Sequence, residues 1–101
     1  MDYAEHYARW QNLPQMFFDK ADARGDAALF WSKRYDAWQP VSWKDARDMV
    51  SAISRGLRRI GVERGDRVML VSENRPEWGL ADLAIMSAGG VTVPVYTTNT
   101  V

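Results

Sequence analysis

With 101 residues the chain has room for one small domain and falls short of the usual single-domain length. Apolar residues make up 47% and charged residues 26%, the balance of a folded globular protein, which excludes disorder as the governing state. Thirteen basic residues balance thirteen acidic ones, so no net field draws in a nucleic-acid backbone, and the lack of cysteine excludes disulfides and thiolate zinc sites. A cysteine-free chain also suits a reducing compartment. Met1-Asp2-Tyr3-Ala4-Glu5-His6 has early acids and no apolar core, unlike a secretory signal. No apolar run approaches the ~20 residues that cross a bilayer. The expectation is a soluble, cytoplasmic protein.

Tyr3, Tyr7 and Trp10 stand at helical spacing, which predicts a short helix with one aromatic stripe over residues 1–10. Residues 12–24 predict a second helix, with Asn12 as its cap, Pro14 in the first turn, and Leu13, Phe17 and Ala21 on one face. Gly25-Asp26 ends it. Residues 27–35 and 38–41 read as two short strands around Asp36-Ala37, a hairpin whose Pro40 marks an edge strand.

The clearest periodicity runs from Trp43 to Ile60. Trp43, Ala46, Val50, Ile53, Leu57 and Ile60 alternate spacings of three and four, laying one stripe along a helix. Ser42 with Asp45 three residues on resembles a capping box, and Gly61 stands where a left-handed terminator is wanted. Arg55, Arg58 and Arg59 sit near the C-terminal end, where positive charge offsets exposed carbonyls.

A βαβ unit follows. Val68-Met69-Leu70-Val71 is a continuous apolar run, as in a strand covered on both faces. Asn74 with Glu77 suggests a further cap, and Pro76 fits a first turn. From about Arg75 to Ala88, Trp78, Leu80, Ala81, Leu83, Ala84, Ile85, Met86 and Ala88 surround the helix, with Asp82 the main interruption. Gly89-Gly90 stops it, and Val91 to Val95 returns as a parallel strand by a right-handed crossover. A helix apolar all round must be buried all round, and each large side chain left in water forgoes roughly 1.5–3 kcal/mol. Two parallel strands cannot cover such a helix and both faces of their own sheet. The expectation is an incomplete α/β domain, and the polar stretch Tyr96 to Thr100 offers no terminating element.

The turn Ser72-Glu73-Asn74-Arg75-Pro76-Glu77 stands where nucleotide phosphates often bind, yet it has no glycine, two carboxylates and a proline without an N–H. Gly89-Gly90 lies at the wrong end of a helix dipole to hold an anion. His6 has no ligand partner in sequence. Arg55, Arg58 and Arg59 read as a solvated helix end rather than an anion patch, and Tyr3, Tyr7 and Trp10 as packing rather than a membrane contact. No catalytic, cofactor-binding or metal residue is assigned.

Two stretches nonetheless resemble family motifs. Val41-Ser42-Trp43-Lys44-Asp45-Ala46 is similar to the first core motif of the adenylate-forming superfamily, Leu-Thr-Tyr-x-Glu-Leu. Met86-Ser87-Ala88-Gly89-Gly90-Val91-Thr92-Val93-Pro94 resembles its second, Leu-Lys-Ala-Gly-x-x-x-Val-Pro. Gly61 to Val68 resembles the link into the family's first buried strand. Ser72 to Trp78 and Val93-Pro94-Val95-Tyr96 are most like the long-chain fatty acyl-CoA synthetase branch. Ser87 and Asp45-Ala46 depart mildly from the pattern, and the resemblance covers roughly residues 12–101.

The resemblance implies the N-terminal portion of the large adenylate-forming domain over residues 12–101, preceded by an N-terminal extension at 1–11. It implies an acid–thiol ligase: a carboxylate attacks the α-phosphate of ATP with Mg²⁺ present, and coenzyme A then takes the acyl group. The family's phosphate loop, metal-binding acid and lysine do not map onto this sequence, so the chain itself is expected to be inactive and to bind none of these cofactors. The implied partners are the remainder of the enzyme and a fatty acid, with no nucleic acid, and peripheral contact with the inner face of a membrane stays open. A place for Tyr96 to Thr100 at the border of a full enzyme's substrate pocket stays open in this resemblance. An aryl-CoA ligase, a peptide-synthetase adenylation domain and a short non-catalytic interaction module remain as alternatives.

Overall fold

The structure, a computed structural model, describes residues 3–72 and 76–95. Its elements are α1 (Tyr3–Ala8), α2 (Leu13–Arg24), β1 (Ala28–Arg34), β2 (Ala37–Ser42), α3 (Trp43–Arg59), β3 (Arg67–Val71), α4 (Pro76–Ser87) and β4 (Val91–Val95). Strands β1 and β2 form an antiparallel hairpin, and β3 and β4 a separate parallel pair joined through α4. The expected α/β architecture is present. Asn74, and the stretch Tyr96 to Val101, lie outside the described residues.

Helix α2 starts as its sequence dictates. Asn12 Oδ1 accepts from the Gln15 N–H at 2.8 Å, and Gln15 Oε1 accepts from the Gln11 N–H at 2.8 Å. The Gln15 N–H is a first-turn donor that an uncapped helix leaves unpaired, and the second bond ties the chain before the cap to the first turn. Phe17 and Ala21 are buried, whereas Leu13 is exposed. Trp10 falls beyond the end of α1, so the expected aromatic stripe is broken there.

The hairpin turn is centred on Tyr35-Asp36, one residue earlier than expected. Both have positive φ, 51° and 60°, and Arg34 pairs with Ala37. Two left-handed residues in a two-residue loop match the right-handed twist of the flanking strands. Asp36 tolerates that region readily; Tyr35 does not, which is why sequence alone misplaces the turn.

Ser42 Oγ accepts from the Asp45 N–H at 3.0 Å at the start of α3. The preceding donors are satisfied too, Trp43 N–H by the Ala27 carbonyl and Lys44 N–H by the Gly25 carbonyl, both at 3.0 Å. The α2–β1 turn thus caps α3. Ala46, Val50 and Ser54 form the buried line of α3. Met49, Ile53 and Ile60 occupy one flank of that line and remain exposed, Ile60 at 81%. The predicted stripe is therefore rotated, with Ala46, Val50 and Ser54 rather than Ile53 and Ile60 turned inward. Arg47 Nη1 donates to Asp22 Oδ1 at 2.9 Å, joining α3 to α2. That hydrogen bond raises the guanidinium pKa above its ordinary value; desolvation opposes it and Asp48 adds to it.

Phe17, Ala46, Val50, Leu80 and Ala84 form the core, with Trp43, Phe18, Phe30 and Leu83 packed around it. Every α4 side chain described is buried or half-buried, as its apolar circumference demands. The expectation for β3 holds on one face only. Val68 and Leu70 are half-buried, while Met69 at 65% and Val71 at 56% are exposed on the opposite face, next to Val91 at 51%.

Candidate functional site

The two motif stretches are built into paired turns. Helix α4 ends with Gly89 at φ 90°, its N–H on the Met86 carbonyl and the Gly90 N–H on the Ile85 carbonyl, both at 3.0 Å. This is a Schellman termination, which requires the left-handed residue that glycine supplies. The same turn closes on the loop before β3. Gly65 N–H reaches the Gly89 carbonyl at 2.8 Å, and Val91 N–H reaches the Asp66 carbonyl at 2.7 Å. Asp66 Oδ2 accepts from the Glu63 N–H at 2.7 Å and holds that loop in shape. A Cβ at Gly89 would lie 3.3 Å from the Arg64 Cα, and one at Gly90 would lie 3.1 Å from Ile85 Cγ2. Gly89 is thus favoured by its left-handed φ and the nearby Arg64 backbone, and Gly90 by the Ile85 side chain and the Asp66 carbonyl.

The first motif behaves alike. Its Ser42 hydroxyl and the N–H groups of Trp43, Lys44 and Asp45 are engaged within the fold. Trp43 packs 6.0 Å from Phe17, and the Arg24 guanidinium lies 5.7 Å from its ring. Neither stretch presents donors arranged to cradle a triphosphate. No cluster of three metal-ligating side chains occurs among the described residues.

The individually weighed residues are scattered. His6 meets Trp10 edge to face at 5.5 Å, and Arg9 donates to its Nδ1 at 2.8 Å and to its backbone carbonyl at 3.1 Å. Arg55, Arg58 and Arg59 are exposed at the end of α3, which closes in its own Schellman turn through Gly61 and Val62. Of the turn after β3, residues 73–75 lie outside the described residues. No described helix is long and apolar enough to cross a membrane.

Sequence reading missed one grouping. Arg9, Trp10, Asp19, Lys20, Ala23 and Arg24 line a cleft of about 340 Å³ between the segment after α1 and one face of α2. The i, i+4 spacing of Lys20 and Arg24 was the available signal. A second cleft, of about 130 Å³, lies between the hairpin and α4, with Phe30, Gln39, Val41, Met49 and Leu80 in its wall.

Comparison with known proteins gives this framework its place. The long-chain-fatty-acid–CoA ligase FadD15 of Mycobacterium bovis is 34% identical over 88 residues, covering 87% of this chain and 15% of that protein. The long-chain-fatty-acid–CoA ligase ACSBG1 of Rattus norvegicus is 29% identical over 85 residues, covering 84% and 12%. The chain therefore spans less than a sixth of these relatives' length. A fatty acid AMP ligase from Legionella pneumophila superposes with a TM-score of 0.81 at 22% identity, over 90% of this chain and 16% of that one. A four-domain nonribosomal peptide synthetase, AB3403, bound to AMP and glycine, superposes with a TM-score of 0.78 at 28% identity, over 89% and 6%. The model of the AMP-binding enzyme family matches residues 17–101, both motif stretches included, and with the fold agreeing the chain belongs to that family, to the N-terminal part of the adenylate-forming fold.

Proposed function

We propose that this chain is the N-terminal structural portion of an ATP-dependent acyl-CoA ligase acting on long-chain fatty acids, and that it holds no catalytic, cofactor-binding or metal residue itself. The observation that carries the reading is its similarity, along 87% of its length, to a long-chain fatty-acid–CoA ligase. The fold supports this reading. Both motif stretches place their polar groups in caps and turns, so their work is to set α3 and α4 against each other and against β3 and β4. ATP, Mg²⁺ and coenzyme A are cofactors of the whole ligase in this reading, and residues outside this chain hold them. Residues 1–11 form an extension and 12–101 the beginning of the adenylate-forming domain. Peripheral membrane contact belongs to the same reading and is supported by Trp31 and Trp38, exposed on one face of the hairpin.

The test is ATP–pyrophosphate exchange with palmitate by the purified chain and by the longest protein that carries it. The expected result is exchange and palmitoyl-CoA formation by the longer protein and none by the chain. Exchange by the chain alone would overturn its structural role. Activity of the longer protein on benzoate or on an amino acid, with none on palmitate, would favour the second reading, an aryl-CoA ligase or a peptide-synthetase adenylation domain. That reading draws support from the 28% identity to a peptide synthetase.

A further inference from the structure

The cleft between the segment after α1 and helix α2 concentrates positive charge in a chain with no net charge. Arg9, Lys20 and Arg24 line it against a single carboxylate, Asp19. Lys20 and Arg24 stand one helical turn apart on α2, a like-charge i, i+4 pair that weakens the helix carrying it. Trp10 gathers the other cation into the same place. The Arg9 guanidinium carbon lies 4.4 Å from the Trp10 ring centroid and the Lys20 ammonium 5.3 Å from it. The indole also fixes the carboxylate, with Trp10 Nε1–H donating to Asp19 Oδ2 at 2.8 Å. Arg9 is held in turn through His6, by the contacts to its Nδ1 and its carbonyl.

Three cations brought to one opening repel one another, and an anion seated among them turns that repulsion into attraction. Three positive groups against one carboxylate leave an excess that a dianion matches. Guanidinium groups also offer paired N–H donors that suit phosphate oxygens. We propose that this cleft binds a phosphate group, with Lys20 and Arg24 as its principal contacts and Arg9 closing over it. The group can belong to a free phosphate or small phosphoester, or to a phospholipid headgroup; the chemistry of recognition is shared.

The experiment follows the indole N–H resonance of Trp10 in the ¹⁵N-labelled chain, assigned with Trp10→Phe, during titration with sodium phosphate against sodium chloride at matched ionic strength. Sedimentation with phosphatidylcholine vesicles, with and without phosphatidic acid, forms the second arm. A saturable Trp10 shift specific to phosphate assigns the site to a soluble phosphate. Pelleting that requires phosphatidic acid, without that shift, assigns it to a headgroup. In either case Lys20→Gln and Arg24→Gln should each weaken binding roughly two- to fivefold, and Lys20→Arg should retain it. An unchanged Trp78 indole resonance, remote from both substituted side chains, reports that the variants fold. A Trp10 response equal in chloride with no phosphatidic-acid dependence, or binding undiminished in the double Gln variant, overturns the proposal.

Discussion

At the scale of single residues, the glycines separate two costs that sequence inspection merges. Gly61 and Gly89 both have positive φ, 107° and 90°, and both end helices. A Cβ at Gly61 would meet open space, whereas at Gly89 it would press on the Arg64 backbone. Gly61→Ala should therefore cost about 1–2 kcal/mol from backbone strain alone, and Gly89→Ala at least ~1 kcal/mol more. Urea denaturation of the two variants side by side checks the difference, and equal costs would remove the close approach from the account. Thr92 gives the opposite sign. Its Oγ1 is buried with no hydrogen-bond partner among the described residues. Replacing an unsatisfied hydroxyl by a methyl group of similar shape should help, so Thr92→Val is expected to stabilise by about 1 kcal/mol. A lower denaturation midpoint would show that the hydroxyl is satisfied after all.

At the scale of elements, the start of α3 is the joint most open to test. Ser42→Ala removes the acceptor for the Asp45 N–H while leaving the Ala27 and Gly25 carbonyls on the two preceding donors. The expected loss is about 1 kcal/mol, or roughly 4–8 °C in the midpoint of thermal unfolding for a domain of this size. Ser42→Asp, which keeps an acceptor, should recover most of it. This joint was legible because a cap is local chemistry: Ser42 and Asp45 are three residues apart and need no knowledge of the rest of the fold. The same holds for Asn12, Gly61 and Gly89. The rotated stripe of α3 was not legible. Ile53 and Ile60 satisfy the helical period as well as Ser54 does, and only the placement of α2 and α4 decides which line is buried. Tyr35 defeated the reading for a related reason, since a tyrosine at φ 51° is held by the register of the hairpin rather than by its own preference. The basic cleft was hidden because Arg9 and Lys20 come together on Trp10 only when the segment after α1 lies against α2.

For the whole molecule, the uncovered face of β3 and β4 governs behaviour in solution. Met69, Val71 and Val91 present adjoining apolar surface to solvent, the kind of patch that drives association. The chain is expected to self-associate with rising concentration, and Met69→Lys with Val91→Lys to shift it toward monomer in sedimentation velocity. A monomeric parent chain at high concentration would contradict this. The hydrogen bonds that join Gly65 to Gly89 and Asp66 to Val91 carry a consequence in time as well as in space. They start both parallel strands from one point, so the register of the pair is decided at its beginning and needs no distant strand as a template. Parallel pairing is ordinarily slow because its contacts are far apart along the chain. Here the closing residues leave the ribosome within a few seconds of one another at ~5–20 residues per second. Synthesis can thus deliver a βαβ unit already in register, and a side chain at Gly89 would delay folding as well as lower stability.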